Sequence, residues 1–562
     1  MMKRSMIPLL VGQIGWILAS LIGPAQAALN PDWVAHLPAG SSLTAGIQGF
    51  AVSPSGVSYV TGITGSSSNT DVVTAAFRAD GTLLWSHVYN GPGDWHDQAR
   101  GLALGPSGEL YVTGNTPGPG SYSNLLLLKY DAATGALLNT VQYSSGFFTS
   151  EFGGSVATDA QGGVYVAGGT VGDGADAMIL KFDANGALLW RRVWDGPAGG
   201  PFSQDSARQI QIDPDGFPVV LIHGVMGSQH PDYVVVKYAP ADGSTVWEAN
   251  WGSSGEDAGR DMVIDLNGDV YVTGTAINLT DQYSTIKLDG DNGQLIWQAF
   301  DTFGFRDNGR ALALDDHGGV YITGSVDPEG DLSNFNDQIY TVKRDAFSGA
   351  QLWTHLYGDT CVGCFDVPAD IIVDPDGHVF VAGSTSSAPY TGDMITLVLD
   401  ATSGVETDRG ILPGTTGEEA GPGFQRFDAA YNLFDGGQAS NATTGETQIS
   451  VVKYPSQVTS PYALEVTNLI GGGTASFVVG NGTPSTMQYV LLSLQGLGSV
   501  PIPSFGITLN LESPILILFG SSDGAGTYSV PVQVPAGAVG RTLWFQAAEL
   551  NRTTPVVRRV VG

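Results

Sequence analysis

Four places in the chain repeat an acid, any residue, a small residue and an arginine: Asp97 to Arg100, Asp205 to Arg208, Asp257 to Arg260, and Asp307 to Arg310. Glu151 and Asp366 hold comparable places. Carboxylates are hard oxygen donors, so a ring formed by Asp97, Asp205, Asp257 and Asp307 is a candidate Ca²⁺ site. The competing reading is a local Asp–Arg brace, and recurrence of the spacing favours it. A second set of acids lies in turns: Asp213, Asp215, Asp265, Asp315, Asp374 and Asp376. None completes the D-x-[DN]-x-[DN]-G-x₅-E calcium loop. Asp in such turns accepts hydrogen bonds from its own backbone. Lys129, Lys181, Lys237, Lys287, Lys343 and Lys453 share one position and are the expected partners of these turn acids.

Cys361-Val-Gly-Cys364 has redox spacing without a surrounding βαβ pattern. In an oxidising compartment a small disulfide clasp is the better reading. The histidines show no metal-protease spacing, and neither GxSxG nor a phosphate loop occurs. His36, His87 and His355 follow repeat tryptophans and read as structural. His223 and His230, flanking a variable loop, are the pair that could bind a ligand, together with Trp95 in the loop before Asp97. No catalytic constellation emerges.

The elements that hold these residues come from a repeat of roughly 53 residues. Each unit runs through an apolar strand, a D-x-x-G turn, a strand of the V-Y-V-T-G type, a variable loop, a strand ending in K-x-D, and G-x-L-L-W. Turn glycines fall at Gly56, Gly108, Gly162, Gly216, Gly268, Gly318 and Gly377. The last strand carries Trp85, Trp190, Trp247, Trp297 and Trp353, each four residues after a glycine, with Asn139 and Asp408 in two other units. That fixed register points to packing rather than a sugar-binding belt. In the fourth unit the glycine spacing stretches to Gly224, which predicts a bulge near Pro218. Four short β-branched and aromatic strands per unit predict an all-β propeller. Asp428 to Gly437 matches Asp374 to Gly383, with Tyr431 in place of the turn glycine. No tryptophan strand follows it, but Leu29 to Leu37 supplies one, since Trp33 precedes Trp85 by 52 residues. The expectation is an eight-bladed ring (seven if one unit is misread) over 28–455, closed by pairing Leu29–Leu37 with Thr447–Tyr454. Such closure removes two exposed edges. Beyond a linker at Pro455–Ser460 the repeat stops, and seven or so short strands in 456–562 predict a β-sandwich.

These units resemble the bacterial SBBP-type β-propeller repeats of large exported proteins. Asp289-Gly-Asp-Asn-Gly293-Gln-Leu-Ile-Trp297 and Asp345-Ala-Phe-Ser-Gly349-Ala-Gln-Leu-Trp353 are also similar to the tryptophan-docking repeats of quinoprotein propellers. The sandwich looks like terminal domains of other exported bacterial proteins. The resemblance implies architecture rather than activity. Quinoprotein sites often carry adjacent cysteines, and their absence argues against PQQ as cofactor.

The ends and the composition set the compartment. Lys3 and Arg4 precede an apolar stretch from Ile7 to Gly23, and Pro24-Ala25-Gln26-Ala27 offers an A-x-A cleavage site. Residues 1–27 are therefore expected to be a signal peptide, and the protein secreted, periplasmic or on the cell surface. No later segment approaches the ~20 apolar residues of a membrane span. A net charge of −31 repels nucleic acid. Loop lengths vary at 63–70, 115–123, 169–175, 225–231, 275–280, 325–336, 384–392 and 438–446, which topology puts on one face. Variation on a rigid frame points to a non-catalytic binding or scaffold protein with a polysaccharide or protein partner at that face. The alternatives are a quinone-dependent or carbohydrate-active propeller enzyme, and a structural cell-surface protein.

Overall fold

The computed structural model describes residues 29–562 except 38–44, 67–68, 93–94, 119–120, 147–148, 173, 198–203, 227–229, 254, 278–280, 304–306, 329–335, 359–364, 387–391, 413–422, 441–446, 459–462, 506, 550–551 and 555. The expected signal peptide, the Cys361–Cys364 clasp and the tips of the variable loops lie outside the described residues. Among the described residues no helix is long and apolar enough to cross a membrane.

From Ala45 to Tyr454 the chain folds into repeated four-stranded antiparallel sheets, the arrangement of a β-propeller. In the unit formed by Ala258–Ile264, Val270–Ile277, Asp281–Leu288 and Leu295–Asp301, the strands lie in sequence order, here called a to d. Strand a of each sheet contacts strand a of the next, and Phe424–Phe427 contacts Ala45–Val52. The a strands therefore surround a central axis, and the d strands lie outside. Alternation along a strand places one set of side chains against the preceding sheet and one against the following sheet. The cores accordingly sit between sheets: Tyr165, Ile179 and Trp190 of one unit pack with Ile210, Val220 and Val234 of the next.

The chain ends meet in one sheet. Trp33–His36 pairs antiparallel with Thr447–Tyr454, Trp33 opposite Lys453 and His36 opposite Ser450. Phe50, Val60 and Val73 of the first unit share a core with Phe434, Ile449 and Val451. The outer strands are clamped by tryptophan. The Nε1 atoms of Trp190, Trp247, Trp297 and Trp353 donate to Pro240, Gly290, Ala346 and Ala401 carbonyls of the following unit at 3.2, 2.9, 3.0 and 2.9 Å. Each indole lies over a glycine of that unit. A Cβ on Gly293, whose φ is +73°, would come 2.7 Å from Trp247, so position and conformation both require glycine. Trp33 does the same across the closure, donating to Ala79 O at 2.9 Å.

One sequence expectation is corrected here. No residue of Pro218–Val225 is skipped in its pairing with either neighbour, so there is no bulge near Pro218. Ile222, opposite Ala207, takes the place that Gly274, opposite Gly259, holds in the next unit. The bulge of that sheet lies in strand a, between Ala207 and Gln209.

Residues 463–562 form a separate unit. One sheet is ordered 463–467, 474–480, 528–533, and a second contains 487–493, 515–521 and 542–549. Both contribute to one core through Val466, Phe477, Val490 and Phe545. This unit rests on the a–b turns of the ring. Arg558 Nη2 meets Asp215 Oδ1 at 2.5 Å, Asn510 Nδ2 donates to Asp316 O at 3.0 Å, and the Leu497 amide donates to Asn267 Oδ1 at 3.1 Å. A cavity of about 190 Å³ in the seam is lined by Leu266, Tyr271, Phe347, Leu497 and Val556.

Candidate binding face

Strand direction gives the ring two unlike faces. The a–b and c–d turns open on one, and the b–c and d–a connections open on the other. On the turn face the acids behave as their position requires. Asp213 Oδ1 accepts the Asp215 and Phe217 amides at 2.9 and 2.8 Å, and Oδ2 lies 2.7 Å from Lys237 Nζ. Lys237 also donates to Gly290 O of the following unit at 2.9 Å. Lys343 repeats the pattern with Asp315 and Ala401 O, and Lys287 pairs with Asp269 at 2.9 Å. Lys129 and Lys453 take Glu109 and Asp32 instead. Tyr431 adopts the turn conformation left to it by the missing glycine, with φ +58°.

The loop face is built by the blade-entry acids, all of them buried. Asp205 accepts the Gly196 amide at 3.0 Å and the Val225 amide at 2.6 Å. Asp257 accepts the Ser253 amide and hydroxyl and the Ile277 amide, the last at 2.9 Å. Asp97 accepts the Gly91 amide at 2.5 Å, Asp307 the Phe303 amide at 2.5 Å, and Asp366 the Thr385 hydroxyl at 2.5 Å. Glu151 holds the Ser145 amide at 3.2 Å. Each acid thus ties the d–a loop, the end of strand b, or both, to its own strand a. Burial pushes the carboxyls of Asp97 and Asp205 above the usual range despite these bonds.

Neither reading of the acid–arginine spacing describes this geometry. The four carboxylates are spent on the loops of four different sheets rather than gathered into a common cation ring. Among the described residues, Asp205 alone of them joins a cluster of acids within 4.8 Å, with Asp176 and Asp195. The brace is absent as well: among the described residues no ion pair links Asp97 to Arg100, Asp205 to Arg208, or Asp257 to Arg260. The reason is a β-bulge. The a–b register jumps between Ala99 and Gly101, Ala207 and Gln209, Gly259 and Asp261, and Gly309 and Ala311. The residue skipped each time is the arginine. A bulge turns the extra residue out of the pleat's alternation, which separates it from an acid three residues earlier. The small residue before each arginine has its own cause. A Cβ on Gly309 would lie 2.4 Å from Thr273 Oγ1 of the preceding sheet.

The guanidiniums are exposed, yet close enough to act on one another. Arg208 and Arg310 both have their pKa lowered, first by desolvation and then by Arg260. His223, on the adjoining strand b, is pushed down to about 4 by burial and by Arg208 and Arg260. Its Nδ1 is buried without a hydrogen-bond partner. His230 is exposed and lies by Asp232, whose carboxyl is raised to about 6 by burial and by Asp257. Trp95 is 66% exposed on the same face. Sequence reasoning singled out Trp95, His223 and His230 but missed the arginines, because it paired them with the acids. Their signal was present: an arginine recurs at the third position of four a strands.

The fold defines a β-propeller repeat protein. Residues 69–227 match the PQQ_2 family model, described as outer membrane protein assembly factor BamB, so the repeats over that span are of PQQ-like type. No curated protein matches the chain. Among solved structures it is similar to the quinohemoprotein alcohol dehydrogenase ADHIIG of Pseudomonas putida HK5, at 14% identity over 78% of this chain and 79% of that one, with a TM-score of 0.50. The quinohemoprotein alcohol dehydrogenase of Comamonas testosteroni matches at 13% identity over 78% and 79%, with a TM-score of 0.48. The WD40 domain of SCAP from fission yeast matches at 9% over 75% and 98%, with a TM-score of 0.41. At these identities the likeness is one of fold.

Proposed function

We propose that this chain is a secreted, non-catalytic binding or scaffold protein of the periplasm or cell surface. In this reading it is an eight-bladed propeller closed by its own chain ends, with a β-sandwich seated on the turn face. The loop face is presented to a polysaccharide or protein. The observation that supports this most is the division of labour between polar groups. The acids that recur from unit to unit are occupied in holding turns and loops, whereas catalysis needs a unique acid, base or nucleophile held together. What the loop face leaves unoccupied, among the described residues, is an exposed tryptophan, the guanidiniums of Arg208 and Arg260, and the His223 imidazole nitrogen Nδ1. Those groups suit recognition.

Glycan-array binding by the purified mature chain tests the proposal. Binding is expected, and replacing the variable loops by uniform short turns is expected to abolish it. Undiminished binding after the replacement, or oxidation of an alcohol or sugar on adding quinone and calcium, would overturn it.

A further inference from the structure

We infer that the axial mouth of the loop face is an oxyanion site, and that it takes the carboxylate or sulfate groups of an acidic polysaccharide. This rests on the loop-face reading above and gives that face a ligand chemistry.

Three consecutive units contribute Arg208, Arg260 and Arg310 from the bulges of their a strands, which touch in succession around the axis. Arg208 and Arg260 have no hydrogen-bond or ion-pair partner among the described residues. Arg310 donates to Ser325 Oγ at 3.3 Å and feels Asp337. A chain with 54 acids against 23 lysines and arginines has abundant carboxylates with which to neutralise three adjacent guanidiniums. Asp205 and Asp257, three residues before Arg208 and Arg260, are instead turned into their blades and held by backbone amides. Mutual repulsion is thus left standing where the fold had the means to remove it. An incoming oxyanion removes it. Guanidinium forks bind planar carboxylates and sulfates bidentately, and these are among the stronger hydrogen bonds available to a protein.

His223 fits the same ligand. Held neutral between Arg208 and Arg260, it offers one N–H to an oxyanion without adding to the charge already there. Trp95 and Tyr122, 66% and 73% exposed on the same face, add flat apolar surface of the kind that receives sugar rings. Exposed aromatics on the face that carries the cationic axial patch favour an acidic glycan over an acidic peptide.

The test is calorimetry on the mature full-length chain with oligogalacturonate, a heparin-derived oligosaccharide, a neutral galactose oligomer of equal length, and poly-glutamate. One of the two acidic glycans is expected to bind and the neutral oligomer is not. Affinity should fall with added salt and drop at least ~10-fold in R208Q/R260Q, with the melting temperature retained. The His223 imidazole, followed by NMR, should titrate at higher pH once the acidic glycan is bound. Failure of both acidic glycans, equal binding of the neutral oligomer, preference for poly-glutamate, or unchanged affinity in R208Q/R260Q would each overturn the inference. The two readings separate cleanly. Neutral-glycan binding that is lost on loop replacement but retained in R208Q/R260Q leaves the loop-face reading standing alone. Acidic-glycan binding with the opposite pattern leaves the axial site standing alone.

Discussion

The two faces of the ring use the same charged residues in opposite ways. On the turn face, the repeat lysines Lys129, Lys181, Lys237, Lys287 and Lys343 each have an acid beside them and a carbonyl of the following unit in front, as Lys237 does with Asp213 and Gly290. On the loop face, acids and arginines also recur, but the acids are taken by amides and hydroxyls; among the described residues Arg208 and Arg260 have no partner, while Arg100 and Arg310 bond the neutral side chains of Gln98, Asn115 and Ser325. Repetition in sequence therefore carries two meanings. Where residue and partner repeat together, the pair is part of the packing. Where a residue repeats and its partner does not, the structure has left it available.

If the turn face is packing, damage there should be costly. Trp247→Ala removes a nearly buried indole that both covers Gly293 and bonds Gly290 O. A loss of ~3–5 kcal/mol is expected, read as a fall in the urea midpoint. Lys237→Gln comes next. It leaves Asp213 buried without its cation, and roughly 3 kcal/mol should be lost. A variant within 0.5 kcal/mol of the wild type, on the order of a surface change, would break the comparison by making the turn-face pair dispensable.

Between the faces lies a carboxyl with no cation beside it among the described residues. Asp435 is fully buried against Thr396 and Gln425, both neutral, and burial raises its pKa to about 7 from an ordinary 3.8. The folded state holds this proton more tightly than the unfolded state. Its contribution is therefore favourable in acid and is lost as pH rises from about 4 to about 7. Asp435→Asn should remove that loss, gaining on the order of 4 kcal/mol at pH 8 and almost nothing near pH 4. Parallel unfolding curves of the two proteins at both pH values check the sign. A variant less stable at pH 8 would show that the carboxylate is stabilising.

How much of this was legible follows from which signals were periodic. The repeat, the tryptophan register, the lysine–acid pairs and the meeting of Trp33 with Lys453 could all be read by sliding the sequence along itself. The bulges could not, because a bulge adds a residue without changing residue types, and the pairing of Asp257 with Arg260 looked natural until strand geometry separated them. In the C-terminal unit the apolar strands were visible. Ala463–Thr467 and Leu497–Ile502 were not, the first because it abuts the linker and the second because Gly498 and Pro501 are turn-forming residue types. The contact of that unit with Asp215, Asn267 and Asp316 had no local signature, since turn acids are also expected where nothing docks on them.

The smallest expected effect is the sharpest test. Arg260 lies between Arg208 and Arg310 and depresses the pKa of both, as it does that of His223. Asp337 acts against that repulsion at Arg310, and among the described residues no ion pair relieves Arg208 or Arg260. Replacing Arg260 with glutamine removes a charge that stabilises nothing in the ring while keeping a side chain of similar reach. Stability should change by less than ~0.5 kcal/mol, and toward greater stability at low salt, where like charges are least screened. Raising the salt should stabilise the wild type more than the variant. The His223 imidazole, relieved of one cation, should titrate above its present value of about 4. Were Arg260→Gln instead to cost what Lys237→Gln costs, the arginine would have a structural partner, and the two faces would differ in appearance only. A near-zero or positive change, with His223 moving upward, would fix the loop face as the place where charge is held in reserve for something outside the chain.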